Sequence, residues 1–200
     1  MRTLPKVGRL LIAVIVVLAW ARPALAQDDG VGFGVKGGYL YSSLSFSNTS
    51  NLYSGKSGWM AGFFIGGGHS STVGAQIELN YLNKGATDAS TGANTTLHYL
   101  DIPVLLRINI GSRSHNGVSV YIIAGPGFDF KVGESISSIA QVQNFNTFDF
   151  NIIAGGGIEI TRLILEARGM WGLSNIAVNT LSAGNLHSRS FALLAGIRLN

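Results

Sequence analysis

The chain has 200 residues, 27 of them glycine and none cysteine, so disulfide frameworks and thiolate metal sites are excluded. Its formal net charge of +4 comes from 14 basic and 10 acidic residues, but four of the basic residues and no acidic residue lie in the first 26 positions. The remainder carries 10 charges of each sign without a basic stripe, which argues against a nucleic-acid partner.

Residues 1–26 have the pattern of a secretory signal peptide. Arg2, Lys6 and Arg9 form a positive start, residues 10–20 are apolar, and small residues at 24 and 26 precede Gln27. A membrane-spanning helix needs about 20 apolar residues, so this run is too short to serve as an anchor. We predict cleavage after Ala26, which leaves residues 27–200 as a single domain.

Polar and apolar residues alternate along much of the remaining chain. Within residues 75–81, one set of alternate positions holds Ala, Ile, Leu and Tyr, and the other holds Gln, Glu and Asn. Successive side chains of a β-strand point to opposite faces, so this pattern predicts a strand with one apolar and one polar side. Eight such strands are predicted, at residues 31–42, 57–68, 72–83, 97–110, 117–131, 147–160, 162–173 and 188–199.

The predicted connections alternate between long and short. The long ones are 43–56, 84–96, 132–146 and 174–187, and the short ones are 69–71, 111–116 and a turn at 161. No amphipathic helix is left to cover the apolar faces. The predicted fold is therefore an all-β, eight-stranded antiparallel up-and-down transmembrane barrel, with lipid outside and a polar lumen. Short turns and both termini would face the periplasm, and long loops the exterior. A soluble periplasmic β-fold is the alternative.

The outward residues of the second, fourth, fifth and seventh predicted strands carry no charge, as a lipid-facing wall requires. Aromatic residues on the predicted outward faces cluster at the long-loop end of seven of the eight strands, which predicts one girdle at the membrane interface. Its members are Tyr39, Tyr41, Trp59, Tyr81, Phe128, Phe130, Phe148, Phe150, Trp171 and Phe191.

The predicted inward faces carry the charged residues. An eight-stranded barrel is just wide enough to be filled by side chains, and unpaired buried charges are costly. We therefore predict a lumen plugged by ion pairs; an ion path lined by the same charges is the alternative. The candidates are Lys36, Glu78, Asp101, Arg107, Asp129, Lys131, Asp149, Glu159, Glu166, Arg168 and Arg198.

Short motifs predict no cofactor, metal site or catalytic set. Residues 32–37 match GxGxxG, but they fall within a predicted strand without the βαβ context that dinucleotide binding needs. The four histidines, His69, His98, His115 and His187, are scattered and lack metal-ligand spacing. His98 and His187 are expected near the outer rim, where serines are plentiful.

Several segments together resemble the PorT-like group of small outer-membrane β-barrel proteins. The most specific is Leu100-Asp101-Ile102-Pro103-Val104-Leu105-Leu106; the others are 34–38, 77–81, 84–85, 125–127, 151–159 and 171–175. The resemblance implies an eight-stranded barrel in the outer membrane of a Gram-negative bacterium, but it implies no activity. The chain ends in Asn200, without the terminal aromatic residue that many such barrels present to the insertion machinery.

Three functions remain open from the sequence. The first is a non-enzymatic, monomeric barrel with a structural, adhesive or ligand-binding role, whose extracellular loops, such as residues 141–146, contact an unknown ligand. The second is a narrow, porin-like channel for small solutes. The third is a lipid-modifying hydrolase that would use His98 or His187 with a rim serine. The expected partners are outer-membrane lipid and, during biogenesis, the insertion machinery.

Overall fold

A computed structural model of the protein describes residues 31–46, 53–67, 72–88, 94–110, 117–136, 147–174 and 186–199. The predicted signal peptide, His69, His115 and residues 141–146 lie outside these ranges. The regular elements are strands: β1 (Gly32–Phe46), β2 (Tyr53–Gly66), β3 (Val73–Asp88), β4 (Asn94–Asp101), β5 (Val104–Ile110), β6 (Val118–Ile136), β7 (Phe148–Ile160), β8 (Leu163–Gly172) and β9 (Leu186–Arg198).

The strands close into an antiparallel barrel. Apart from β4 and β5, strands that are neighbours in sequence pair with each other, and β1 pairs with β9 over a long register from Gly34↔Arg198 to Phe46↔Leu186. β4 and β5 are two halves of one strand, because β3 and β6 each pair with both of them. The barrel therefore has eight strands, as the sequence predicts.

Pro103 causes the interruption between β4 and β5, since proline has no N–H to donate to a neighbouring strand. The path of the strand still continues across the break. The backbone N–H of Ile102 donates to the Phe128 carbonyl at 3.0 Å, and the Pro103 carbonyl accepts from the Glu78 N–H at 3.1 Å.

Several strands are longer than the sequence predicts. β1, β3 and β6 continue to Phe46, Asp88 and Ile136, four or five residues beyond the predicted ends at 42, 83 and 131. These extensions are rich in polar and small residues and therefore resemble loops in the sequence, but their strand pairing continues. The long connections that follow β1, β3 and β6 are correspondingly shorter than predicted.

The outer wall consists of apolar side chains that no other part of the described chain covers. Phe63 is 66% exposed and Ile122 is 47% exposed, and large apolar residues of every strand except β4 are exposed alongside them. Monomeric soluble proteins rarely expose contiguous apolar surface of this extent. No helix in the described ranges is long and apolar enough to cross a membrane.

The ten predicted girdle aromatics all lie on the outward face, exposed or half-buried. Neighbouring strands place several of their rings in contact. The ring centroids of Trp59 and Tyr81 are 5.4 Å apart, and those of Phe130 and Phe148 are also 5.4 Å apart. Such tilted pairs add to the stability of neighbouring strands beyond the area that they bury.

Inward-facing glycines make room for large side chains inside the barrel. A Cβ on Gly157 would lie 2.7 Å from the Tyr121 hydroxyl oxygen, and one on Gly196 would lie 2.6 Å from Cγ of Lys36. Both distances are too short for a real carbon atom. The high glycine content therefore serves the packing of a narrow lumen, in which a side chain on one strand occupies the space left by a glycine on the next.

Candidate functional site

Of the eleven charged residues predicted to line the lumen, nine are buried within the barrel and two, Lys131 and Arg198, are half-buried. The buried ones form separate groups at three heights. The nine are Lys36, Glu78, Asp101, Arg107, Asp129, Asp149, Glu159, Glu166 and Arg168.

The central network consists of Lys36, Glu78, Glu166, Arg168 and Tyr121. The Arg168 guanidinium donates through its two terminal nitrogens to both carboxylate oxygens of Glu78, at 2.8 and 2.9 Å. Its Nε donates to Glu166 Oε1 at 2.7 Å, and a terminal nitrogen contacts the same oxygen. Lys36 Nζ bridges the two glutamates, at 2.7 Å from Glu78 and 3.0 Å from Glu166. The Tyr121 hydroxyl donates to Glu166 at 2.7 Å.

The Arg168–Glu78 pair spans the width of the lumen. Glu78 lies on β3 and Arg168 on β8, which are four strands apart in either direction around the barrel. The two-pronged contact of a guanidinium with a carboxylate fixes both distance and orientation. Opposite sides of the barrel are therefore joined through buried side chains.

Neutral groups complete the hydrogen bonding around Glu78. The side-chain amide of Gln76 donates to Glu78 Oε1 at 2.6 Å, and that of Asn80 donates to Oε2 at 2.9 Å. Lys36 Nζ also lies 5.1 Å from the ring centroid of Phe64, where the aromatic face attracts a cation. With two cations, two anions and these donors, the central network is electrically balanced, as a buried charge cluster requires.

A second group lies toward the end of the barrel that carries the β7–β8 turn. Arg107 donates to Glu159 Oε2 at 2.8 Å and to the Asn109 side chain at 3.0 Å. Its guanidinium carbon lies 3.7 Å from the ring centroid of Tyr121, which links this group to the central network. Arg198 reaches the other oxygen of Glu159 at 2.8 Å. Arg198 is half-buried and lies at the end of the charged lumen groups that is nearest the β7–β8 turn.

The third group, the aspartate row, comprises Asp101, Asp129 and Asp149. They face one another in register across β4, β6 and β7. Lys84 Nζ contacts Asp129 Oδ2 at 2.5 Å and lies 5.3 Å from the ring centroid of Tyr99. The sequence prediction omitted Lys84 because it placed position 84 in a loop. The inward alternation of Glu78, Asn80 and Leu82, extended by one step, would have found it.

The interior also holds an apolar core that the prediction of a polar lumen did not include. These side chains alternate with the outward ones and fill the spaces between the charged groups. They are Leu40, Met60, Phe64, Leu82, Leu97, Tyr99, Leu105, Tyr121, Ile123, Ile153, Ile164, Met170, Ala192 and Leu194. The described part of the lumen is thus filled with apolar side chains between layers of charged ones.

The weaker motifs take ordinary structural places. The GxGxxG segment is part of β1 and pairs with β2 and β9. His98 lies on the outer wall, where its Nδ1 is 2.9 Å from the Tyr81 hydroxyl and its ring centroid is 5.8 Å from that of Tyr81. The side chain of His187 lies outside the described part of the chain. Among the described residues, no three His, Cys, Asp or Glu side chains are placed to hold a metal ion.

A closed, antiparallel barrel with an apolar wall and a charged, packed lumen defines an outer-membrane β-barrel protein. The chain belongs to the outer membrane protein beta-barrel domain family, whose model matches residues 25–178. It is accordingly a transmembrane β-barrel of the bacterial outer membrane.

Solved structures with the same architecture are distant in sequence. Neisserial surface protein A is 11% identical with a TM-score of 0.51, over 86% of this chain and all of that one. Ail, the attachment invasion locus protein of Yersinia pestis, is 14% identical with a TM-score of 0.48, over 84% and 99% of the two chains. The outer membrane enzyme PagL is 13% identical with a TM-score of 0.45, also over 84% and 99%. No curated protein matches in sequence.

Proposed function

We propose that the protein is a non-enzymatic barrel that presents its extracellular loops as a structural, adhesive or ligand-binding surface, with a lumen that does not conduct. The observation that supports this is the Arg168–Glu78 bridge between opposite sides of the barrel, reinforced by Lys36 and Glu166. A column of balanced ion pairs and apolar side chains leaves the loops as the surface available to partners.

The proposed orientation follows from the aromatic girdle. Girdle residues gather at one end, and the tight β7–β8 turn, where Thr161 adopts a φ of 58°, lies at the other. In outer-membrane barrels short turns face the periplasm, so both termini are proposed to lie there. The proposal also includes a signal peptide that is cleaved after Ala26 and delivery of the barrel by the insertion machinery. It further includes a monomeric state and membership of the narrower PorT-like group.

Planar-bilayer recordings are expected to show no discrete channel openings for the full-length, refolded barrel. Ions would have to pass the central network, where Arg168 and Glu78 contact at 2.8 Å and both side chains are buried. Desolvating a permeating ion against paired charges in so narrow a space is unfavourable. The measurement is single-channel conductance in symmetric salt.

A gel shift between boiled and unboiled samples confirms folding before the recording, and a general porin serves as the conducting control. Reproducible openings of uniform size from the folded barrel would contradict the closed lumen. They would favour the second candidate, a narrow channel for small solutes.

The position of His98 gives no support to the hydrolase hypothesis. Its Nδ1 contacts the phenol of Tyr81 rather than a serine hydroxyl, and both side chains lie on the outer wall. Nucleophilic catalysis would require a serine within hydrogen-bonding distance of the imidazole. The Tyr81–His98 pair instead extends the aromatic girdle onto β4, which carries none of the ten predicted girdle aromatics.

A further inference from the structure

The aspartate row concentrates negative charge at one height of the lumen. Asp101 and Asp149 both flank Asp129 in register, and like charges that face each other across strands are destabilising. Lys84 forms an ion pair with the middle residue of the row, Asp129. The row thus differs from the central network, in which cations and anions balance.

Unpartnered polar atoms gather in the same region. The Oδ1 atoms of all three aspartates lack a hydrogen-bond partner among the described residues, and so do Oδ1 and Nδ2 of Asn151 and Oγ of Ser190. Asn151 is 2% exposed and Ser190 is 8% exposed. Buried polar atoms in proteins almost always have a partner, either in the protein or in a bound group or water, so these atoms are available to a bound group.

Inward-facing glycines allow two of these side chains to lie close against the barrel wall. Gly172 lies beside Asp149, and a Cβ there would be 2.8 Å from Asp149 Oδ2 and 3.3 Å from Cβ of Ser188. The Asn151 amide leans over Gly127, where a Cβ would be 2.4 Å from its Oδ1. Gly127 precedes Asp129 by two residues on the same inward face, so the Asn151 amide lies over the inward position next to Asp129.

We propose that the aspartate row, Asn151 and Ser190 bind a cation that carries its own hydrogen-bond donors, such as hydrated Mg²⁺ or an alkylammonium group. Five of the six unpartnered atoms are oxygens, which accept hydrogen bonds. The described side chains offer no set of three ligands for direct metal coordination. Mg²⁺ typically keeps several of its waters and binds through one or two carboxylates, and an ammonium group donates in the same way.

Calorimetric titration of the refolded, chelator-treated full-length barrel in a zwitterionic detergent tests this site. MgCl₂ and spermidine are the two probes. We expect saturable binding of at least one of them, with one site per barrel. The double variant Asp101→Asn/Asp149→Asn keeps the shapes of the two side chains but removes two carboxylates, so its affinity should fall by at least roughly tenfold.

The matched control is Glu159→Gln, the same carboxylate-to-amide change in the group near the β7–β8 turn. This variant should bind the probes as the wild type does. Binding of Mg²⁺ alone identifies a hydrated metal ion, and binding of spermidine alone identifies an organic cation; both support the site. Equal binding by the wild type and the double variant, or no binding of either probe, overturns it. If the double variant does not fold, Asp149→Asn alone makes the same comparison. The outcome does not depend on what the loops bind.

Discussion

Replacement of Arg168 by methionine is expected to destabilise the barrel by about 3–5 kcal/mol, the usual cost of breaking a buried ion pair by removing one partner. Arg168 contacts both glutamates of the central network, so its loss leaves two buried carboxylates with only Lys36 between them. The measurement is the urea midpoint of unfolding in detergent, followed by the fluorescence of Trp59 and Trp171.

The double variant Arg168→Met/Glu78→Gln provides the decisive comparison. It leaves Lys36 and Glu166, which still pair at 3.0 Å, so the buried charge is balanced again. We expect the double variant to be more stable than Arg168→Met alone. Arg189→Met, a change of the same kind on the exposed face of β9, should leave the midpoint within error of the wild type. A single variant as stable as the wild type would contradict the assigned role of Arg168.

Arginine in place of Ile122 is expected to cost about 2–4 kcal/mol, the range for a basic residue on a lipid-facing wall at mid-depth. Ile122 is outward-facing and 47% exposed. It lies on β6 about midway between the turn at Gly117 and the girdle residue Phe128. In a water-exposed wall the same substitution would be nearly neutral, because the new charge would be solvated. Folding equilibria in lipid vesicles measure the difference.

Val118→Arg is the matched control. It is on the same face of the same strand, 45% exposed, and beside the turn rather than at mid-depth. The cost of a charge falls to about 0–1 kcal/mol near the membrane interface, so Val118→Arg should be almost neutral. Equal effects at the two positions would mean that this wall does not face lipid.

The fold could be predicted from the sequence because two independent constraints act on every strand. Alternation fixes which residues face outward, and the bilayer excludes charge from that face. Segments such as 75–81 satisfy both constraints. The same alternation predicts that each charged lumen residue, from Lys36 on β1 to Arg168 on β8, faces inward. The strand number and the closed antiparallel order then follow from eight such segments joined by turns.

The interior details could not be predicted in the same way. Which acid meets which base depends on barrel stagger, which places Glu78 opposite Arg168 although 90 residues separate them. Residues 84–88, in the extension of β3 that brings Lys84 to Asp129, are largely polar and so resemble a loop, although the inward alternation of the strand continues to Lys84. The apolar core was overlooked for a different reason: inward positions such as Leu82 and Met170 obey the alternation but were expected to be polar.

The most direct test of an integral, closed barrel is the gel mobility of the protein from isolated outer membranes, compared with and without boiling. A compact barrel with a continuous hydrogen-bonded wall resists detergent until it is heated, so we expect the unboiled sample to migrate at a different apparent mass from the boiled one. Identical mobility, together with recovery of the protein in the soluble periplasmic fraction, would contradict the assignment of the apolar wall to lipid.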